Sequence, residues 1–187
     1  MIKRLFDFFL AALLTIVFLP LMLLVALAVK FASKGPIIFW SQRVGKNNKL
    51  FWMPKFRTML TETPNVATHL LAGANQYLTP VGSFLRKSSL DELPQLWSVI
   101  CGDMSFVGPR PALFNQTDLI DMRTAVGVHS LTPGITGWAQ INGRDELALS
   151  EKVAFDQEYL QKQALVFDIQ ILWLTGLKVF KREGVSH

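Results

Sequence analysis

The chain has little of what many protein sites are made from. Cysteine occurs once, at Cys101, which excludes an internal disulfide and the zinc centres built on two or four cysteines. Histidine occurs at positions 69, 129 and 187, a spacing that suggests neither a His/Cys metal cluster nor a histidine-based triad. Charged residues make up only 18%, where about 25% is usual. Apolar residues fill the difference, at 50% of the chain, and the mean hydropathy is +0.30. The charge that is present is unbalanced, with a net +5 and a pI near 9.5. That balance suits anionic partners: lipid head groups, phosphorylated substrates or nucleic acid. A length of 187 residues allows one domain, or one domain with an appendage.

Phe8 to Val29 contains no charged residue. As a straight helix it would measure about 33 Å, enough to cross a bilayer core. It is too long for the apolar region of a signal peptide. Pro20, near its middle, removes a helix hydrogen bond and favours a bend at Leu19-Pro20. Lys3 and Arg4 precede the segment and Lys30 and Lys34 follow it, so flanking charge picks no direction across a membrane. A helix-break-helix that leaves by the face it entered and a kinked spanning helix are equally compatible with these features. Asp7 is either interfacial or a tether to the rest of the chain.

After the Lys34-Gly35-Pro36 break, Ile37 to Trp40 and Leu50 to Met59 read as two strands joined by a turn over Val44 to Lys49. Pro54 is expected to end or bulge the second strand. Arg43, Lys46, Lys49, Lys55 and Arg57 give this hairpin a basic edge. Lys55 and Arg57 alternate with Phe56 and share one face, which suits a phosphate or head group. Leu60 to Thr79 is polar and carries one expected short helix, around Val66 to Leu71.

Ser89-Leu90-Asp91-Glu92-Leu93-Pro94 places two adjacent carboxylates where a helix should begin. Ser89 with Glu92 reads as a capping box, or Asp91 is itself the N-cap. Either way both carboxylates lie among free backbone N–H groups, a place that also attracts phosphate. Arg86 and Lys87 stand just upstream. Acidic residues in a first turn are ordinary helix starters, so the pair alone decides nothing. Its surroundings add weight: Arg110 is held between Pro109 and Pro111, whose fixed φ lets the guanidinium be aimed. Gln140, Asn142 and Arg144 sit in a segment dense in turn formers. They could line a polar pocket, although turn residues are the simpler reading. Ser150 to Gln163 and Leu165 to Arg182 read as helices, the second apolar with Trp173 inside and a basic end, as suits a membrane interface. Asp168, near its start, is a helix-dipole partner or the partner of an arginine upstream.

These motifs together resemble the bacterial sugar transferase family, small monotopic phosphoglycosyl transferases that act on polyprenyl phosphate. The resemblance rests on Lys55-Phe56-Arg57-Thr58-Met59, on Leu85-Arg86 with Ser89 to Gln95, on Gly102 to Pro111 and on Pro133 to Arg144, in the family's order. It implies an α+β, mainly helical fold. Residues 1–33 would be a re-entrant, Pro20-broken membrane anchor. Residues 34–187 would be a compact cytoplasmic catalytic domain with a short β-hairpin and interfacial amphipathic helices. It implies that Asp91 attacks a UDP-sugar, expels UMP and passes the phospho-sugar to undecaprenyl phosphate, with Mg²⁺ held by Glu92 and Asp91. Lys55, Arg57, Arg86, Arg110, Gln140 and Arg144 would bind substrate. Pro20, Pro109, Pro111 and Asp168 would shape the site. The partners implied are a UDP-sugar, undecaprenyl phosphate and bacterial inner-membrane lipid, with no nucleic acid; a homodimer is left open. A UDP-N-acetylated hexosamine is the expected donor and a UDP-hexose its rival. Leu19-Pro20 and Thr132 depart from the family pattern, where serine precedes that proline and a basic residue often precedes Pro133. The competing reading is a basic membrane-bound adaptor without activity, which leaves the carboxylate pair and Arg110 unexplained.

Overall fold

The computed structural model describes residues 2–64, 73–143 and 147–181. One long helix, α1 (Ile2–Ala32), opens the chain, and Pro20 lies inside it. Helix is retained across the proline, so the expected break at Leu19-Pro20 does not interrupt the element. Residues 7, 11, 25 and 29 are its buried positions, one face at helical spacing. The opposite face is apolar and exposed, from Leu5 and Phe9 through Ile16 and Leu24 to Phe31.

The buried face lies against the rest of the chain at both ends. Ala11 belongs to the main core with Phe51, Leu96, Val99, Phe106, Tyr159 and Ile171. Val25 and Val29 join a second cluster with Phe56 and Leu85. Near the N-terminus the tethers are polar. Asp7 Oδ1 accepts from the Phe106 amide at 3.2 Å, so this acid is a tether. Arg4 donates to the carbonyls of Val99 and Ile100, a cation at the end of a short helix. Lys3 Nζ lies 2.6 Å from Asp168 Oδ2 and 3.1 Å from the Val107 carbonyl.

The hairpin is antiparallel, β1 (Ile38–Val44) with β2 (Leu50–Phe56), in an unbroken register that pairs Trp40 with Pro54. Pro54 neither ends nor bulges the strand, contrary to expectation. Each strand of a two-stranded sheet has a free edge, where a missing N–H costs no ladder bond. Beyond Thr58, α2 (Gly82–Lys87) folds back onto the hairpin's exit. Gly82 permits this, since a Cβ there would lie 2.1 Å from the Thr58 carbonyl oxygen. The helix expected over 66–71 lies outside the described residues.

The carboxylate pair does not begin an α-helix. Leu90–Glu92 form one turn of 3₁₀ helix, and α3 (Gln95–Cys101) starts only after Pro94. Neither capping arrangement forms. Ser89 takes φ +56° with no side-chain cap bond, and Glu92 is drawn to Lys55 instead. A parallel pair follows, β3 (Ser105–Val107) with β4 (Gly134–Thr136). Between them lies α4 (Thr117–Ala125), and beyond them α5 (Trp138–Ile141), α6 (Leu149–Lys162) and α7 (Leu165–Lys181). On α7, Val166, Ile169, Trp173 and Leu177 are exposed at helical spacing while Asp168 and Ile171 are buried. The architecture is α+β and mainly helical, as expected.

Candidate active site

A cavity of about 470 Å³ opens between the hairpin, the segment that leaves it and the carboxylate turn. Asp91, Lys55, Arg57, Arg86, Arg110 and Arg43 all line it. Five residues expected at the site thus converge, with Arg43 as a further wall that the sequence marked only as part of a basic edge. Each is brought by a different piece of chain. Lys55 and Arg43 come from facing strands. Arg57 follows β2, and its Nη1 donates to the Lys34 carbonyl at 2.8 Å. Arg86 comes from α2, where Nε donates to Thr58 Oγ1 at 3.0 Å.

Glu92 stands beside this cavity. Its Oε1 lies 2.6 Å from Lys55 Nζ and 3.7 Å from Arg110 Nη2. Asp91 is buried, and burial pushes its carboxyl above the usual range, against the pull of Lys55 and Arg86 and with the push of Glu92. Burial likewise lowers Lys55, which Glu92 and Asp91 partly offset. Arg43 falls to about 10 through burial, with Arg110 adding to the drop. In chemical terms, a poorly solvated carboxylate facing several cations suits nucleophilic attack on an anion.

Arg110 is aimed by its backbone. The Pro109 carbonyl accepts from the Gly134 amide at 2.9 Å, the Arg110 carbonyl from Arg123 Nη1 at 2.8 Å, and the Pro111 carbonyl from Arg43 Nη1 at 3.2 Å. The Ala112 carbonyl accepts from the Val44 amide at 2.9 Å. Four consecutive carbonyls are therefore fixed from three different elements: β4, α4 and β1. The β3–β4 crossing is tight enough that a Cβ on Gly134 would lie 2.1 Å from the Gly108 nitrogen. Arg123 is itself held by buried Asp156, whose Oδ2 accepts from Nε at 2.9 Å and Nη2 at 2.6 Å. The buried prolines Pro109 and Pro111 flank the arginine as expected. The Arg123–Asp156 pair was not foreseen, because 33 residues separate its members.

Among the described residues Asp168 faces a lysine and a tyrosine rather than an arginine. Its Oδ2 pairs with Lys3, and its Oδ1 accepts from the Tyr159 hydroxyl at 2.6 Å. Tyr159 also donates to the Val107 carbonyl at 3.2 Å. This network ties α1, α6 and α7 to the strand that leads into Arg110, so Asp168 acts by support. Gln140 is not among the residues lining the cavity, and its side-chain oxygen and nitrogen are buried without a partner among the described residues. Arg144 lies outside the described residues.

No group of three or more His, Cys, Asp or Glu capable of holding a metal occurs among the described residues. The adjacent carboxylates Asp91 and Glu92 remain. Asp91 lines the cavity, and Glu92 Oε1 is engaged by Lys55 and Arg110; these are the carboxylates that would hold Mg²⁺, a cation that keeps waters and takes further oxygens from substrate phosphates.

The cavity brings one buried carboxylate and five cations together beside a long apolar helix, an arrangement that suits an anion. The bacterial sugar transferase family model matches residues 1–182, and the chain belongs to that family. It is 40% identical to an undecaprenyl-phosphate glucose phosphotransferase of Komagataeibacter xylinus, over 99% of this chain and 36% of that protein. It is 42% identical to the UDP-glucose:undecaprenyl-phosphate glucose-1-phosphate transferase of Escherichia coli (strain K12), over 96% of this chain and 40% of that one. The chain thus spans about two fifths of the length of these two relatives. The exopolysaccharide production protein ExoY of Rhizobium meliloti (strain 1021) is 38% identical over 94% of this chain and 84% of its own length.

Proposed function

We propose that this protein transfers a phospho-sugar from a UDP-sugar to undecaprenyl phosphate, by way of a covalent intermediate on Asp91. The observation that carries the reading is the buried Asp91 carboxylate in a cavity lined by Lys55, Arg43, Arg57, Arg86 and Arg110. Kinship with relatives named as undecaprenyl-phosphate sugar phosphotransferases supplies the substrate classes.

Asp91 Oδ attacks the phosphorus bonded to the sugar. The bond from that phosphorus to the bridging oxygen breaks, and UMP leaves with the electron pair. The phosphate oxygen of the lipid acceptor then attacks the same phosphorus and displaces Asp91, which returns as a carboxylate. In this reading Arg110 and Lys55 offset the negative charge that builds on the phosphoryl oxygens. Glu92 is held by both cations, so its orientation is fixed before substrate arrives. Mg²⁺ held by Asp91 and Glu92 would neutralise the diphosphate.

The relatives' names favour a hexose, and UDP-glucose leads the panel to be tried against the N-acetylated hexosamines. Residues 1–33 serve as the anchor and 34–187 as the catalytic part. α1 is long and apolar enough to cross a membrane. Its two ends nevertheless both contact the rest of the fold, through Asp7 and through Val29. Contact at both ends argues for an anchor that stays on one side of the inner membrane, and kinship with the family suggests the cytoplasmic side. A basic adaptor has no use for a buried carboxylate among five cations. Release of UMP from a panel of UDP-sugars by the purified protein tests the reading. Turnover of one donor supports it, and no release from any donor, with Mg²⁺ and lipid acceptor present, overturns it.

A further inference from the structure

A second concavity lies on the other face of the hairpin. The antiparallel register puts Phe39, Ser41 and Arg43 on one face with Lys55, and Ile38 and Trp40 on the opposite face with Pro54. The first face lines the charged cavity. The second, with Thr15 and Met22 of α1 and with Leu96, Trp97 and Ile100 of α3, walls a groove of about 470 Å³ whose surface is almost wholly apolar. Thr15 and Met22 stand on either side of Pro20, seven residues apart on one face of the helix.

The two spaces share part of their walls. Ile38 and Trp40 border both of them. Further along, β1 is covered: the Val44 amide donates to Ala112, and Arg43 bridges to Leu113. The start of the strand, Ile38 to Trp40, is thus the stretch of β1 that the cationic chamber and the apolar groove share. Exposed Trp40 and Trp97 stand in the wall of the groove, which α1 closes with Thr15 and Met22.

We infer that this groove holds the first isoprene units of the polyprenyl phosphate acceptor, with its phosphate passing the β1 edge at Ile38 and Trp40 to reach Asp91. The inference rests on the proposed transferase reading and adds to it the path of the acceptor's tail. Charge complementarity fixes the polarity: the anionic end belongs with Lys55, Arg57 and Arg110, and the hydrocarbon with the groove. A tail laid here is withdrawn from bulk lipid while its head stays in reach of a shielded carboxylate. A donor that is water-soluble throughout has no use for the groove.

The test uses the full chain in nanodiscs of phosphatidylglycerol and phosphatidylcholine. A long-chain prenyl phosphate carrying a benzophenone on an early isoprene unit is photolysed with the protein and the labelled peptides are mapped. Labels on the peptides holding Thr15 and Met22, or Trp97 and Ile100, are expected. They should be lost with Ile100→Trp and Thr15→Trp, which fill the groove from opposite walls, and be competed by unlabelled prenyl phosphate but not by added phospholipid. Labels confined to α7 or to the outer face of α1 would overturn the inference, as would competition by phospholipid, which would make the occupant an acyl chain. Because this readout needs no turnover, its failure is separate from a failure to release UMP.

Discussion

Lys55 Nζ and Glu92 Oε1 lie 2.6 Å apart, with the two side chains only 16% and 17% exposed. The pair joins the hairpin to the carboxylate turn and sets the potential at Asp91, because Lys55 is the leading influence holding that carboxyl down. Lys55→Met removes this influence. The acid limb of kcat/KM for UMP release should move to higher pH. Loss of a hydrogen bond between charged groups should also lower kcat/KM roughly 10- to 100-fold at neutral pH. A pH–rate profile of both proteins checks this.

Asp91→Asn separates chemistry from stability. The folded carboxyl titrates above its unfolded value, because burial disfavours the charge. Ionised Asp91 therefore costs stability above the folded pKa, and the cost disappears as pH falls below the unfolded value of about 4. The asparagine variant should release no UMP yet melt at a higher temperature than the parent at pH 8. That advantage should shrink as the pH is lowered towards 4. Melting curves across pH test the sign.

Glu92→Gln should keep the fold and raise the Mg²⁺ concentration needed for half-maximal rate. Lys55 and Arg110 would then face a neutral amide. A titration of rate against Mg²⁺ is the check, and an unchanged midpoint would remove Glu92 from the metal.

Arg123 acts on Arg110 through its carbonyl and should matter only while Arg110 is present. Arg123→Lys keeps the charge for Asp156 but loses the fork that holds both partners. Its kcat/KM should fall about 10-fold or more, in line with about 1.5–3 kcal/mol for a charged hydrogen bond. In an Arg110→Ala background the same change should do almost nothing. Additive losses would mark the pair as merely structural.

Asp168→Asn should loosen the junction of α1, α6 and α7. It strips Lys3 of its charged partner, leaving the Val107 carbonyl, and weakens the bond from Tyr159. A loss of about 1–3 kcal/mol is expected, reduced because Lys3 is partly exposed. Thermal unfolding in detergent measures it.

Local pattern made much of this legible. Period-2 spacing put Lys55 and Arg57 together, and helical spacing gave α1, α6 and α7. The prolines around Arg110 marked a stiff loop. What stayed hidden depended on distant partners. Ser89 and Glu92 carry the spacing of a capping box, but Lys55, 37 residues upstream, competes successfully for the Glu92 carboxylate. Arg123 with Asp156, and Lys3 with Asp168, are pairings across long sequence separations that no local period encodes. β3 is three residues long, too short to announce itself beside the Gly102 turn. Pro54 misled because a proline demotes a central strand, whereas this hairpin has only edges.

The most direct test is the intact mass of the protein after incubation with UDP-glucose, or with whichever donor releases UMP, in the absence of lipid acceptor. The account predicts a gain of one sugar phosphate per chain, located on Asp91, with UMP released in equal amount and the adduct discharged when polyprenyl phosphate is added. UMP release without any adduct, or an adduct that persists in Asp91→Asn, would contradict it.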